Sequence, residues 1–177
     1  MGHILWVEPV FKEMIWGGNQ LKEKYGYAIP SDQTGECWAP SAHPNGDNKI
    51  KEGEFKGQTL SKVFDDHREL FGNIKDKQFP LLVKIIDACN DLSVQVHPND
   101  EYAALHENSL GKTECWYVLD CKEDTKMVMG HHAKTKEELV KAIENDDYDH
   151  LLNKFDIKKG DFFYIPSGTI HAICKGS

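Results

Sequence analysis

The sequence lacks the features of a membrane-spanning or secreted protein. No apolar run approaches the roughly 18 residues that a transmembrane helix needs, and residues 1–6 lack the charged and apolar regions of a signal peptide. The five cysteines are odd in number, irregularly spaced and without a C-x-x-C pair, which argues against a disulfide framework or a thiolate zinc cluster: Cys37, Cys89, Cys115, Cys121 and Cys174. We therefore expect free thiols, a cytoplasmic location and no membrane partner.

Cationic residues are also scarce. Lys and Arg number 21 against 29 for Asp and Glu, so the formal net charge is -8. A broad nucleic-acid surface is excluded because phosphate backbones bind clustered, excess cation. This charge balance is still compatible with a small anionic ligand, since a pocket needs only a few local cations.

The chain also has no repeat, low-complexity tract or linker, and 177 residues suit one domain, so we predict a single domain over residues 1–177.

What is present is a series of short apolar runs separated by turn residues, which is typical of a β-sandwich or β-barrel. The runs cover residues 4–11, 81–86, 92–97, 113–119, 126–129, 155–157 and 162–165. Helices interrupt them. Thr59 caps a helical pattern that ends at Gly72, Thr135 opens a capping box, and a short helix is predicted near residues 148–152. The predicted class is mainly β with helical insertions.

The segment 92–98 carries an unusual polar face. With a period of two, Leu92, Val94 and Val96 point one way, whereas Ser93, Gln95 and His97 point the other. An outer strand with one solvated face would explain the alternation, but charged residues are absent from the polar side and Pro98 ends the strand at a rim. Glu114 and His171 could join Gln95 and His97 at one point, and two imidazoles, a carboxylate and an amide oxygen suit zinc or another borderline divalent ion better than calcium. Cys115 would face away from Glu114 and fill the core.

Six segments resemble type I mannose-6-phosphate isomerases in their short bacterial form. They are residues 16–18, 35–46, 81–88, 92–103, 111–119 and 163–172, in the family's order, so the resemblance spans essentially the whole chain. It implies a zinc-dependent cupin, a jelly-roll β-barrel with helical insertions. It also implies interconversion of mannose 6-phosphate and fructose 6-phosphate by proton transfer through an enediol.

The resemblance assigns roles to individual residues. One Zn²⁺ would be held by Gln95, His97, Glu114 and His171. Lys112, two positions before Glu114, would act in proton transfer, because a nearby zinc favours the neutral amine; a solvent-facing turn lysine is the alternative. The substrate-binding candidates are Lys84, Ser93, Trp16 and Glu36. Lys84 interrupts an apolar run, where a lysine is costly unless it faces a cavity or a sheet edge. Ser93 shares the face of the ligands, with a serine bonded to the backbone as the alternative, and Trp16 and Glu36 lie in the segments that resemble the family, with a structural role as the alternative. His43 is rejected as a ligand because Ser41 stands where a Gln would be needed.

Members of this family extend well beyond the position that matches Ser177, and their later segment supplies an arginine near the reacting end of the substrate. The only arginine here is Arg68. We therefore expect zinc binding with isomerase activity lowered roughly a hundredfold or more, and self-association through unpaired strands. The alternatives are a non-catalytic or weakly active sugar-phosphate-binding zinc cupin and an iron cupin of the oxygenase class.

Overall fold

The computed structural model describes residues 4–177, which form two compact units that divide after Asp87. The N-terminal unit contains β1 (Val10–Gly18), α1 (Gln20–Glu23), β2 (Thr34–His43), β3 (Gly46–Asp47), α2 (Leu60–Asp66), a 3-10 helix (Arg68–Phe71) and β4 (Leu82–Ile86). The C-terminal unit contains α3 (Asp100–His106), β5 (Glu114–Tyr117), β6 (Lys126–His131), α4 (Lys136–Glu144), α5 (Tyr148–Leu151), β7 (Leu152–Asp156), β8 (Phe162–Ile165) and β9 (His171–Ile173). The single domain over residues 1–177 stays a prediction.

In the N-terminal unit, β2 is the central strand and pairs antiparallel with β1, β3 and β4. Two glycines allow its close approach to β1. A Cβ on Gly17 would lie 2.4 Å from the backbone nitrogen of Gly35, and a Cβ on Gly35 would lie 2.5 Å from the ring of Trp16. Any larger residue at either position would force the strands apart.

The core of this unit lies beneath α2. Buried apolar side chains of the cluster are Ile50, Phe55, Leu60 and Val63, and the partly buried Phe71 and Phe79 pack against them. The helix begins where the Thr59 side chain accepts a hydrogen bond from the backbone of Lys62. The 3-10 helix that follows ends at Gly72, whose φ of 72° is left-handed and favours glycine.

The C-terminal unit is built from a three-stranded sheet in the order β7-β6-β9 and a two-stranded sheet of β5 and β8. The segment 92–97 extends the first sheet. The backbone nitrogen of Leu92 donates to Ile173, Gln95 and His171 exchange two hydrogen bonds of 2.9 Å, and the nitrogen of Gly168 donates to His97. This pairing sets the segment beside the start of β9.

Most predicted elements are confirmed. Strands occupy or overlap the runs at 81–86, 113–119, 126–129, 155–157 and 162–165, and helices form at all three predicted places. Two of them begin at the predicted caps Thr59 and Thr135, but the first is interrupted at His67 and continues as a 3-10 helix up to Gly72. All five cysteines are free thiols, as expected. The first strand was misplaced, because it spans Val10–Gly18 and residues 4–9 form only a bridge from Val7 to Ile50. The segment 92–97 has one bridge instead of a full strand, and β2 and α3 were not predicted.

Cys115 is a further correction. Its side chain faces away from Glu114, as the strand period requires, but it is exposed and does not fill the core. The cross-strand partners on that face of the β5–β8 sheet are exposed as well: Tyr117 at 60%, Phe162 at 62% and Tyr164 at 63%. Val94 and Val96, expected on a dry face, are also half exposed.

Candidate metal centre

Three side chains from separate elements of the C-terminal unit converge on one point. His97 follows the segment that pairs with β9, Glu114 opens β5, and His171 opens β9. One donor atom from each lies within 4.8 Å of the others. Among the described residues, no other group of three or more His, Cys, Asp or Glu side chains meets this closely. All three residues that converge here were predicted from the sequence as metal ligands.

Gln95 lies beside this cluster. It is directly opposite His171 in an antiparallel bridge, and both backbone hydrogen bonds between the two residues measure 2.9 Å. Directly opposed residues of an antiparallel pair project their side chains from the same face. Gln95 can therefore reach a cation that is bound by His171.

The Glu114 carboxylate is the electrostatic centre of the group. One oxygen lies 3.2 Å from Nε2 of His171 and 3.5 Å from Nε2 of His97, and the other accepts from the Lys112 ammonium at 2.9 Å. Burial alone would raise the pKa of Glu114. The hydrogen bonds with His171 and Lys112, together with the charges of Lys112 and His97, outweigh burial and lower this pKa to about 2. The carboxylate is thus ionised at neutral pH, as a metal ligand must be.

His171 has a fixed orientation. Its Nδ1 lies 2.9 Å from the backbone carbonyl of Thr169 and donates to it, so Nε2, which lies beside the Glu114 carboxylate, is the nitrogen that would bind a cation. The ring is 3% exposed and packs edge-on against Trp116 at a centroid distance of 5.3 Å. Sequence reasoning missed both contacts. The signal for Trp116 was available, since it lies two positions after Glu114 in the same strand and shares its face.

Lys112 lies beside Glu114, as its position two residues earlier predicts. Besides its ion pair with Glu114, its Nζ lies 3.1 Å from Nε2 of His97. It thus contacts two of the three clustered side chains, and its role in proton transfer stays a prediction. Ser93 also lies nearby, where its hydroxyl accepts a hydrogen bond of 3.1 Å from the Gln95 amide.

The other candidates lie in the N-terminal unit and form a cluster of their own. Lys84 Nζ lies 3.1 Å from the carboxylate of Glu36, which is only 8% exposed and also accepts from the Trp38 indole at 2.5 Å. Lys84 Nζ is 4.8 Å from the centre of the Trp38 ring, and Lys12 Nζ is 4.9 Å from it. Lys84 therefore has an anionic and an aromatic partner within its own sheet. Trp38 was missed, although it lies two positions after Glu36 on the same face of β2.

The remaining candidates of the N-terminal unit have structural surroundings. Trp16 is 9% exposed and lies against Gly35. His43 is exposed, with Nδ1 accepting from the backbone of Asn45 and its ring edge-on to Trp38. The Arg68 guanidinium stacks on Phe64 at 3.9 Å and donates to Asp65. The substrate roles and the rejection of His43 stay predictions.

The donor set of the centre suits a borderline divalent ion. Two imidazole nitrogens and one carboxylate oxygen match zinc, which takes nitrogen, sulfur and oxygen ligands, whereas calcium and magnesium prefer oxygen alone. An amide oxygen from Gln95 would complete four protein ligands. The residues present therefore fit Zn²⁺.

No helix among residues 4–177 has the length and apolarity to cross a membrane.

The chain is similar to several known proteins. A probable mannose-6-phosphate isomerase of Bacillus subtilis strain 168, GmuF, is 59% identical over 178 residues, which cover 100% of this chain and 56% of that protein. The crystal structure of the mannose 6-phosphate isomerase from Bacillus subtilis superposes with a TM-score of 0.96 at 51% identity, and the match covers 97% of this chain and 55% of that one. The chain thus spans little more than half of the length of these relatives.

A structure of a zinc-bound mannose 6-phosphate isomerase superposes with a TM-score of 0.72 at 17% identity, over 96% of this chain and 65% of that one, which shows a shared fold. The predicted mainly β, cupin-type fold with helical insertions is confirmed by this likeness, although no strand pairing among residues 4–177 closes a sheet into a barrel. The family model for phosphomannose isomerase type I, catalytic domain, matches residues 4–129. From this match and the identity to its relatives, the chain belongs to the type I phosphomannose isomerase family.

Proposed function

We propose that this chain binds one Zn²⁺ through Gln95, His97, Glu114 and His171 and is the metal-binding part of a mannose-6-phosphate isomerase. The observation that carries the proposal is the convergence of the His97, Glu114 and His171 donors within 4.8 Å in a member of this family. The substrate is a small sugar phosphate, and the reaction exchanges an aldose with a ketose. Nucleic acid and membranes are not proposed as partners.

Aldose–ketose exchange moves a proton between C1 and C2 through an enediol. Bound zinc would polarise the oxygens on these carbons and stabilise the negative charge that develops on them. Lys112 is the residue proposed to move the proton, because its Nζ lies against both Glu114 and His97 and its side chain is 43% exposed, so a substrate can reach it. Its ion pair with Glu114 holds the amine at the edge of the metal centre.

Substrate contacts are proposed for Ser93 from its place on the face of the ligands, for Lys84 from its place in an apolar strand, and for Trp16 and Glu36 from the family resemblance. For Lys84, the ion pair with Glu36 supports a role as an oriented cation, because the carboxylate fixes the ammonium without removing it from solvent completely. The cytoplasmic location and self-association through unpaired strands stay predictions. The exposed aromatic face of the β5–β8 sheet supports self-association, since large exposed apolar patches are common at protein interfaces.

The test combines metal analysis with a coupled isomerase assay on the purified chain. We expect one zinc per chain and weak conversion of mannose 6-phosphate that a chelator abolishes. His97→Ala and His171→Ala should each lose most of the zinc, whereas His43→Ala, at an exposed histidine of β2, should retain it. Lys112→Met should retain zinc and lose conversion.

Three results would contradict the proposal in different ways. Equal zinc retention in the three histidine variants would refute the ligand assignment. Stoichiometric iron with substrate-dependent oxygen uptake would indicate a metallo-oxygenase. Zinc and mannose 6-phosphate binding without conversion would leave the non-catalytic sugar-phosphate-binding cupin as the function of this chain.

A further inference from the structure

The Gln95 side chain differs from the other three proposed ligands in its chemistry. An amide has a carbonyl end and an NH₂ end of nearly equal shape, and only the oxygen can bind a cation. Imidazole and carboxylate ligands in this cluster are already oriented: His171 by the Thr169 carbonyl, and Glu114 by Lys112. The exposed Gln95 side chain needs a comparable partner to present its oxygen.

Ser93 is in the position to supply it. The two residues are separated by one position in an extended segment, so their side chains share a face, and Gln95 Nε2 donates to the Ser93 hydroxyl at 3.1 Å. The backbone of Gln95 is held by its two hydrogen bonds to His171. With the backbone and the NH₂ end both fixed, the amide oxygen is the end left for a cation beside His171.

We infer that Ser93 is a positioning residue that orders the Gln95 amide for metal binding. The inference rests on the proposed zinc site and deepens it. The hydroxyl acts before the metal arrives, because it restricts the rotation of an exposed side chain that would otherwise lose its freedom on binding. It also acts on the bound state, because a metal polarises the amide and strengthens donation from its NH₂ group.

This role differs from contact with the substrate. A substrate-contacting serine changes the affinity for the sugar phosphate and leaves the affinity for zinc unchanged. A positioning serine changes the affinity for zinc in the absence of any sugar, and only while Gln95 is present. Ser93 is exposed, so its hydroxyl can be removed without opening a core cavity.

The experiment measures zinc affinity by competition with a chromophoric chelator, without substrate. Ser93→Ala should weaken zinc binding by about 10- to 100-fold, the range typical for partners of metal ligands. Ser93→Thr keeps a hydroxyl in an extended segment that tolerates β-branching, and it should restore an affinity close to the native value. Ser93→Ala combined with Gln95→Ala should be no weaker than Gln95→Ala alone, because the serine acts through the amide.

Two outcomes would overturn the inference: native zinc affinity in Ser93→Ala, with or without weaker binding of mannose 6-phosphate, or effects of the two alanine substitutions that add fully. Failure of the proposed function is distinguishable, because it would appear as absent zinc binding in the native chain or as retained zinc in His97→Ala. Circular dichroism of each variant, with the native spectrum expected, excludes misfolding as the cause of a lost affinity.

Discussion

Replacement of Asn48 by alanine should destabilise the N-terminal unit severely. Asn48 is 0% exposed, and its side chain makes three hydrogen bonds. Its carbonyl accepts from the backbone nitrogen of Ser41 at 2.6 Å, and its NH₂ group donates to the backbone carbonyls of Glu8 and Trp38 at 3.0 Å each. The side chain therefore joins residues before β1 to two positions of the central strand β2.

The expected loss follows from these bonds. Each hydrogen bond contributes about 1 kcal/mol net, and a buried group left without its partner costs more, so three bonds give about 3 kcal/mol or more. Domains of this size are stable by about 5–15 kcal/mol in total. The alanine variant should therefore lose a large part of its free energy of unfolding, measured by urea titration at constant protein and chelator concentration.

Two further variants make the test specific. Asn45→Ala changes the same residue type at an exposed position of the same unit and should shift the free energy of unfolding by at most about 0.5 kcal/mol. Asn48→Asp retains the acceptor for Ser41 but loses both donors and buries a carboxylate, so it should be at least as harmful as alanine. Equal unfolding midpoints for Asn48→Ala and Asn45→Ala would refute the reasoning.

Three other predictions concern packing, capping and charge. Phe64→Ala should lower the free energy of unfolding, measured in urea, by about 3–5 kcal/mol, because the ring is 1% exposed and packs edge-on against Phe71 and Phe79 at 5.1 and 5.6 Å. A loss below ~1 kcal/mol, which is typical of an average substitution, would contradict this prediction. Thr135→Ala should cost about 1 kcal/mol and speed amide exchange in the first turn of α4, because its hydroxyl accepts from Glu138 at 3.2 Å; unchanged exchange would show that the cap is dispensable. The pKa of Glu114 is lowered from 4.5 to about 2, so its ionised form stabilises the metal-free fold above pH 4.5 and this contribution is lost as the pH falls towards 2. In chelator, Glu114→Gln should therefore be less stable than the native chain at pH 7 and approach it at low pH; a constant difference across this range would be the contrary result.

The features that the sequence determined by itself are local. Thr59 and Thr135 begin helices because each hydroxyl satisfies a backbone nitrogen three positions later, and Gly72 ends one because glycine adopts positive φ without strain. The alternation of Ser93, Gln95 and His97 before Pro98 also lies within seven residues. Such signals involve interactions between neighbours in the chain, so they can be read without the fold.

The central strand β2 could not be predicted in this way. It contains Gly35, Glu36 and Pro40, which are uncommon in strands, and it lacks an alternating pattern because the first five of its residues are all buried. Its stability comes from pairing with β1, β3 and β4, which are distant in sequence. The ion pair of Glu36 with Lys84 follows from the same pairing, since Lys84 lies opposite Trp38 in β4.

For the metal centre too, some features could be predicted from the sequence and others depend on the tertiary structure. The identities of Gln95, His97, Glu114 and His171 were predicted from strand period and family resemblance, and Glu114 and His171 each begin a strand, as expected. Only the tertiary structure decided that Thr169 orients His171, that Trp116 covers it, and that Lys112 contacts both Glu114 and His97. These contacts join side chains whose approach depends on the backbone pairing of separate strands, and sequence spacing carries no information about distances across such pairs.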